Sequence, residues 1–334
     1  MYRYIKVFLW CFSSGVIVIL LGSGYFYFSY HADIKNVHYS QGKNALWARH
    51  QWVGEYRTVK EYVRLATHLK QHEMTDVFFH VGPLNAQGLI EQQKYPFAVR
   101  LLSYLKREYP ELHIQAWIGQ VEARGGGPLD LSNNKVRENI VHTAEMFLDL
   151  GFDGIHYDIE PIHSGDMRFL DLLQKTKAIT KNQKKFLSVA SDEPEPIWGT
   201  EKIVRLFAKQ AGFWKKEYYI QVAEQVDQIA VMIYDTALPR DWLYGNVVAW
   251  VTKTLLTSLD PKITLFMGVP SYEDQRWGFH PEAENVRSGI RGIQKGLASF
   301  DTPEIQHFGI AIYAEWTTDQ DEWDVYTQEW LNTN

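Results

Sequence analysis

Asp158 and Glu160 stand two residues apart in the run Gly151-Phe152-Asp153-Gly154-Ile155-His156-Tyr157-Asp158-Ile159-Glu160-Pro161. The run reads as a buried β-strand that ends in acid. Side chains two apart on a strand share a face. Ile155, Tyr157 and Ile159 therefore point one way, and His156, Asp158 and Glu160 the other. An apolar face turned to helices, with an Asp-x-Glu pair on the opposite face, fits the inner wall of an α/β barrel. Two carboxylates held this close do not both ionise easily, so one tends to keep its proton. A carboxylic acid protonated near neutral pH is a general acid of the kind that breaking a glycosidic bond requires. An ion pair or a strand-end cap would use the same residue types. Two inward acids on one strand are nonetheless costly to keep without a use.

The elements that position this pair follow from the rest of the pattern. Apolar strand-like runs alternate with amphipathic stretches, which argues for a parallel sheet with crossover helices. Strands are expected at Ala45–Arg49, Thr75–Val81, His113–Ile118, Phe152–Glu160, Lys185–Ser191, Gln228–Tyr234, Ile263–Val269 and His307–Tyr313. Helices are expected near 56–72, 95–109, 132–149, 166–182, 199–225, 242–259, 282–299 and 319–332. Eight units make a (β/α)8 TIM barrel over residues 44–334. A doubly wound open sheet is the alternative, but no glycine-rich phosphate loop follows the first strand. In a barrel, chemistry sits at the C-terminal ends of the strands. Those ends carry Arg49 and Trp52, His80, Gln120 and Glu122, Asp158 and Glu160, Ser191 and Asp192, Tyr234 and Asp235, Tyr272 and Glu273, and Tyr313, Glu315 and Trp316. Arg124–Pro128 (RGGGP) is expected to be a mobile loop at the same rim, either a lid or a linker.

Residues 1–30 form a separate unit. From Val7 to Tyr30 there is no charged residue, which is length enough to cross a bilayer as a helix. Arg3 and Lys6 precede the span, so the positive-inside rule leaves Met1 in the cytoplasm and the barrel outside a cell membrane crossed once. Tyr25, Phe26, Tyr27, Phe28 and Tyr30 make an aromatic band at the outer interface. A cleaved signal peptide is the rival reading, although no clear A-x-A site follows. Residues 31–43 are polar and read as a short linker.

Composition removes several classes of function. The formal net charge is −6 and there is no basic tract, so nucleic acid is not an expected partner. The single cysteine, Cys11, lies in the apolar N-terminal segment, which excludes intrachain disulfides, cysteine nucleophiles and cysteine metal sites. No HExxH or other metal spacing occurs among the 12 His, and neither metal nor cofactor is called for. The 12 Trp among 14% aromatics exceed what a core usually needs and fit a cleft that stacks on flat sugar faces.

The sequence resembles glycoside hydrolase family 18, the chitinase-like barrels. That family's fourth-strand pattern is D-x-x-D-x-D-x-E, and here it reads Asp153, His156, Asp158 and Glu160, with His156 in place of the second Asp. Met232-Ile233-Tyr234-Asp235 is similar to the family's M-x-Y-D, and Tyr313-Ala314-Glu315-Trp316 to its final strand. Gly268-Val269-Pro270-Ser271-Tyr272 looks like its seventh. The resemblance implies that the substrate's own N-acetyl group is the nucleophile. Glu160 would protonate the glycosidic oxygen, Asp158 would orient the acetamide, and Tyr234 would hydrogen-bond it. Asp235, Trp316, Tyr272, Trp52 and His156 would contact the sugars, and Asp153 would be structural. A neutral His156 would accept a hydrogen bond from Asp158, whereas a cationic one would hold Asp158 ionised.

Three other readings stay open. Glu160 as acid with Glu273 as nucleophile would make a two-Glu retaining barrel. A cleft that has lost turnover would make a chitinase-like lectin, and a tethered barrel with no site would be a scaffold. Chitin, peptidoglycan and N-acetylated exopolysaccharides are all open as the oligo- or polysaccharide partner.

Overall fold

Gly154–Glu160 forms the fourth of eight parallel strands in the computed structural model, which describes residues 22–34, 40–196, 212–274, 279–300 and 307–331. The strands are β1 (Lys43–Ala48), β2 (Asp76–Pro83), β3 (His113–Val121), β4 (Gly154–Glu160), β5 (Phe186–Ser191), β6 (Gln228–Met232), β7 (Thr264–Pro270) and β8 (Phe308–Tyr313). They pair in chain order and close, β8 on β1, into a barrel. The expected (β/α)8 fold is therefore present. Gly309 makes the closure possible, since a Cβ there would lie 1.4 Å from the Lys43 carbonyl oxygen.

Ten α-helices are described. They are α1 (residues 22–31), α2 (Gln51–Gly54), α3 (Val59–Gln71), α4 (Ala98–Glu108), α5 (Asn134–Leu150), α6 (Met167–Gln183), α7 (Lys216–Ala223), α8 (Asp241–Leu256), α9 (Val286–Leu297) and α10 (Gln320–Tyr326). Local chemistry sets their ends. Thr58 and Glu61 form a capping box at the start of α3, and Gly151 closes α5 in the left-handed region. The expected helix near 199–225 lies partly outside the described residues; its described part is α7. β6 stops at Met232 rather than reaching Tyr234, because the chain turns there: Asp235 (φ 61°) and Ala237 (φ 59°) are left-handed.

Two layers of core follow from the strand alternation. Outward residues such as Ile155, Tyr157 and Ile159 pack under the helices, while Trp47, Phe78, Trp117 and Phe266 fill the barrel interior. Tyr157 also hydrogen-bonds Thr176 of α6 at 2.9 Å.

The expected crossing helix falls mostly on residues 1–21, outside the described residues. Among the described residues no helix is long and apolar enough to cross a membrane. The polar stretch after it does not behave as a free linker where it is described. The main chain of Tyr30 and Ala32 is held by Arg291 at 2.9 and 3.2 Å, and Ile34 packs on the outer core. The RGGGP loop is likewise pinned. Arg124 bonds Glu122 at 2.8 Å and also Asp166, while Gly125 and Gly127 leave no room for a Cβ against Pro161 and Val121.

Candidate active site

β4 carries His156, Asp158 and Glu160 up the inner wall, as the alternation requires. Its register against β3 sets Trp117 beside His156 and Gly119 beside Asp158. Trp117 Nε1 donates to Asp158 Oδ2 at 2.8 Å. Gly119 keeps this contact open, because a Cβ there would lie 3.3 Å from that indole nitrogen and 3.0 Å from the Asp158 carbonyl oxygen. The Glu160 and Asp158 carboxyls act on each other, lowering the proton affinity of Asp158 and raising that of Glu160.

Burial raises the proton affinity of both carboxyls, but not equally. Asp158 is drawn back toward ionisation by Glu160 and by the bond from Trp117. Glu160 is pushed well above the usual carboxylate range, first by burial, then by the Asp158 charge, with Asp192 and Asp235 adding to it. Of the two, Glu160 has its proton affinity raised the further. This is the arrangement of a general acid beside a carboxylate.

Aromatic side chains surround the pair. The Tyr234 ring stacks on Tyr313 with centroids 5.4 Å apart and meets the Tyr272 edge at 6.0 Å. Burial, then the neighbouring Tyr313 and Tyr272 hydroxyls, keep the Tyr234 phenol protonated, so it remains a hydroxyl donor. Trp316 meets Tyr313 edge-on at 5.6 Å and is 37% exposed, which leaves its face available at the mouth. Asp235 is exposed and accepts the Tyr272 hydroxyl at 3.0 Å. Tyr272 itself is buried and stacks on Phe279 at 4.4 Å.

His156 does not do what its place in the motif suggested. It is fully buried, and both ring nitrogens are taken by side chains other than Asp158. Trp47 Nε1 donates to His156 Nε2 at 3.1 Å, and an indole nitrogen only donates, so Nε2 is the unprotonated acceptor. Nδ1 therefore carries the hydrogen and gives it to Ser188 Oγ at 2.7 Å. Ser188 donates on to Gln115 Oε1 at 2.9 Å. The Gln115 amide nitrogen then donates to Asp76 Oδ1 at 2.9 Å and Gln228 Oε1 at 2.6 Å. Burial drives the His156 pKa down to about 3, so the ring is neutral. It stacks 3.8 Å above Phe78 as part of the barrel filling.

Two further expectations are corrected or refined. Trp52 sits on α2 and turns to the helical layer, with Tyr62 at 6.2 Å and the Arg57 guanidinium at 5.7 Å; it does not line the mouth. Asp153 stands at the opposite end of β4, bonded by Lys106 at 2.8 Å and Lys185 at 3.1 Å, and is structural. Glu273 is exposed, whereas the charges acting on Glu160 come from Asp158, Asp192 and Asp235.

Trp117 escaped the sequence reading, although its signal was present. Gln115, Trp117 and Gly119 alternate inward on β3, and a Trp on that face must find a partner for its N–H. Glu284 left no such signal. It lies well beyond β7 in the chain, yet it is buried beside the β6 turn and accepts the Thr236 N–H at 3.1 Å.

The fold recurs in solved structures of low identity. The chain aligns with the Bacillus cereus spore cortex-lytic enzyme SleL at 14% identity and TM-score 0.57, over 86% of this chain and 74% of that one. It aligns with a Chromobacterium violaceum chitinase at 14% and 0.57, over 86% and 98%. A putative chitinase domain from Desulfitobacterium hafniense gives 12% and 0.58, over 86% and 99%. No curated protein matches the chain. The model of glycosyl hydrolases family 18 matches residues 51–332, a span that holds all eight strands except β1 together with the Asp158/Glu160 pair, and the chain is a glycoside hydrolase of that family.

Proposed function

We propose that this hydrolase cleaves an N-acetylated polysaccharide with retention, using the substrate's acetamide as nucleophile. The observation that carries the reading is the buried Asp158/Glu160 pair on one strand face, with Trp117 donating to Asp158 and the Glu160 proton affinity raised the further. Glu160 gives its proton to the glycosidic oxygen as the bond to the anomeric carbon breaks. The acetamide carbonyl oxygen attacks that carbon from the other side. Once Glu160 has lost its proton, Asp158 accepts the acetamide N–H, and positive charge developing on the cyclised ring is met by its carboxylate. The Tyr234 hydroxyl donates to the acetamide oxygen and aligns it. Water then opens the ring, with Glu160 as the base that takes back a proton. Trp316 supplies a flat face for one sugar.

The uncharged run Val7–Tyr30 behind Arg3 and Lys6 supports a second part of the proposal, a barrel anchored on the outer side of a cell membrane. The natural substrate is then a glycan of the envelope or one secreted by the same cell. Chitin-like oligomers of N-acetylglucosamine, peptidoglycan and N-acetylated exopolysaccharide are the classes to compare. Digestion of each by the full chain, with products read by mass, tests the reaction. Glu160→Gln should lower turnover by about a hundredfold or more while binding persists. Turnover within a few-fold of the parent would remove Glu160 from the role of acid.

A further inference from the structure

We propose that the aromatic face running from α1 to Trp250 seats on a lipid bilayer, so that the barrel lies side-on against the membrane. The proposal rests on the anchor reading above and adds an orientation to it.

Helix α1 is built onto the barrel wall. Asn246 of α8 donates to the Phe26 carbonyl at 3.0 Å, and Arg291 of α9 donates to the Tyr30 carbonyl at 2.9 Å. Lys295 of α9 bonds the Ser29 carbonyl. Tyr30 is buried over Gly245, where a Cβ would lie 2.2 Å from its ring, and the Arg291 guanidinium covers it at 5.2 Å. Such a mount leaves little slack between the apolar run and the catalytic domain.

The other side of α1 is apolar and open. Tyr25 is 71% exposed and Phe28 73%, with Phe26 and Tyr27 about half exposed. The face continues onto the barrel. Tyr27 meets Trp242 edge-on at 6.2 Å, and Trp242, Asn246 and Trp250 follow one another at four-residue spacing along α8. Trp250 is itself 37% exposed. Tyrosine, tryptophan and phenylalanine gathered on one face have the composition of a membrane–water interface. The occupant is named by the chain itself: the residues immediately before α1, Val7–Leu21, are uncharged and apolar, so the segment entering this face comes from the bilayer. A barrel resting on α8 has its axis along the surface, and its mouth opens parallel to the membrane.

Spin labels test this in the full chain. In a Cys11→Ser background, Phe28→Cys, Trp250→Cys and Val99→Cys are labelled in vesicles of phosphatidylcholine and phosphatidylglycerol. Val99 lies on α4 across the barrel and is exposed. The labels at 28 and 250 should be several-fold less accessible to a water-soluble nickel reagent than the label at 99. Arg291→Ala should raise accessibility at 250 while 28 stays protected. Equal accessibility at 250 and 99, with the label at 28 immersed, would overturn the side-on seat and leave the anchor standing. Dipolar broadening between labels at 250 would mean that a second copy covers the face, which also overturns it. Release of the chain by a carbonate wash would overturn the anchor and the seat together.

Discussion

Trp117 and Asp158 face each other across the β3–β4 pairing, with the indole N–H 2.8 Å from the carboxylate. This bond, together with the interaction with Glu160, offsets part of the burial that raises the Asp158 proton affinity. Trp117→Phe keeps the ring but removes the donor. A hydrogen bond to a charged group is worth about 1.5–3 kcal/mol, so kcat should fall by roughly tenfold to a hundredfold with the fold intact. Steady-state kinetics beside a circular dichroism spectrum would check it; an unchanged kcat would mean that the bond does not matter to turnover.

The Asp158 charge is also a cause of the raised Glu160 proton affinity. Removing it by Asp158→Asn lowers the Glu160 pKa. The basic limb of the pH–kcat/KM profile reports loss of the Glu160 proton, so it should move to lower pH in the variant, along with a large fall in rate. A basic limb that stays in place would show that another group sets it.

Glu273→Gln discriminates between the two retaining layouts. Glu273 is exposed, and the charges acting on Glu160 come from Asp158, Asp192 and Asp235, so its loss should leave kcat within a few-fold of the parent. A thiazoline-type mimic of the cyclised acetamide should inhibit both proteins alike. A covalent glycosyl adduct on Glu273, detected by mass, would reverse the assignment.

His156 gives a prediction about stability. Its pKa is about 3 in the folded state against 6.5 unfolded, so below pH 6.5 the unfolded chain takes up a proton that the folded one refuses. The parent therefore loses this contribution as pH falls from 6.5 toward 3, by about 1.4 kcal/mol per pH unit once well below 6.5. His156→Asn lacks the group. The stability difference between parent and variant in urea should shrink over that range, and a difference independent of pH would mean that the ring is charged inside the barrel.

Much of this protein was legible one strand at a time. Period-two alternation in Gly154–Glu160 is a local property, so it put Asp158 and Glu160 on the inner face before any neighbour was known. The same logic located all eight strands within a few residues, because each is a short apolar run between helical stretches. The inner partners were another matter. His156 carries no mark of its tautomer; the Trp47 N–H, 109 positions away in the chain, makes Nε2 the acceptor, and Ser188 takes the other hydrogen. Trp52 and Trp316 look alike as rim tryptophans, yet α2 turns one into the helical layer and leaves the other at the mouth. Residues 31–34 read as polar linker, and only the cations of α9 reveal a docked segment. Alternation along a strand is fixed by the chain's own geometry, whereas a hydrogen-bond partner or a packing face depends on which distant strands and helices the closed barrel brings alongside.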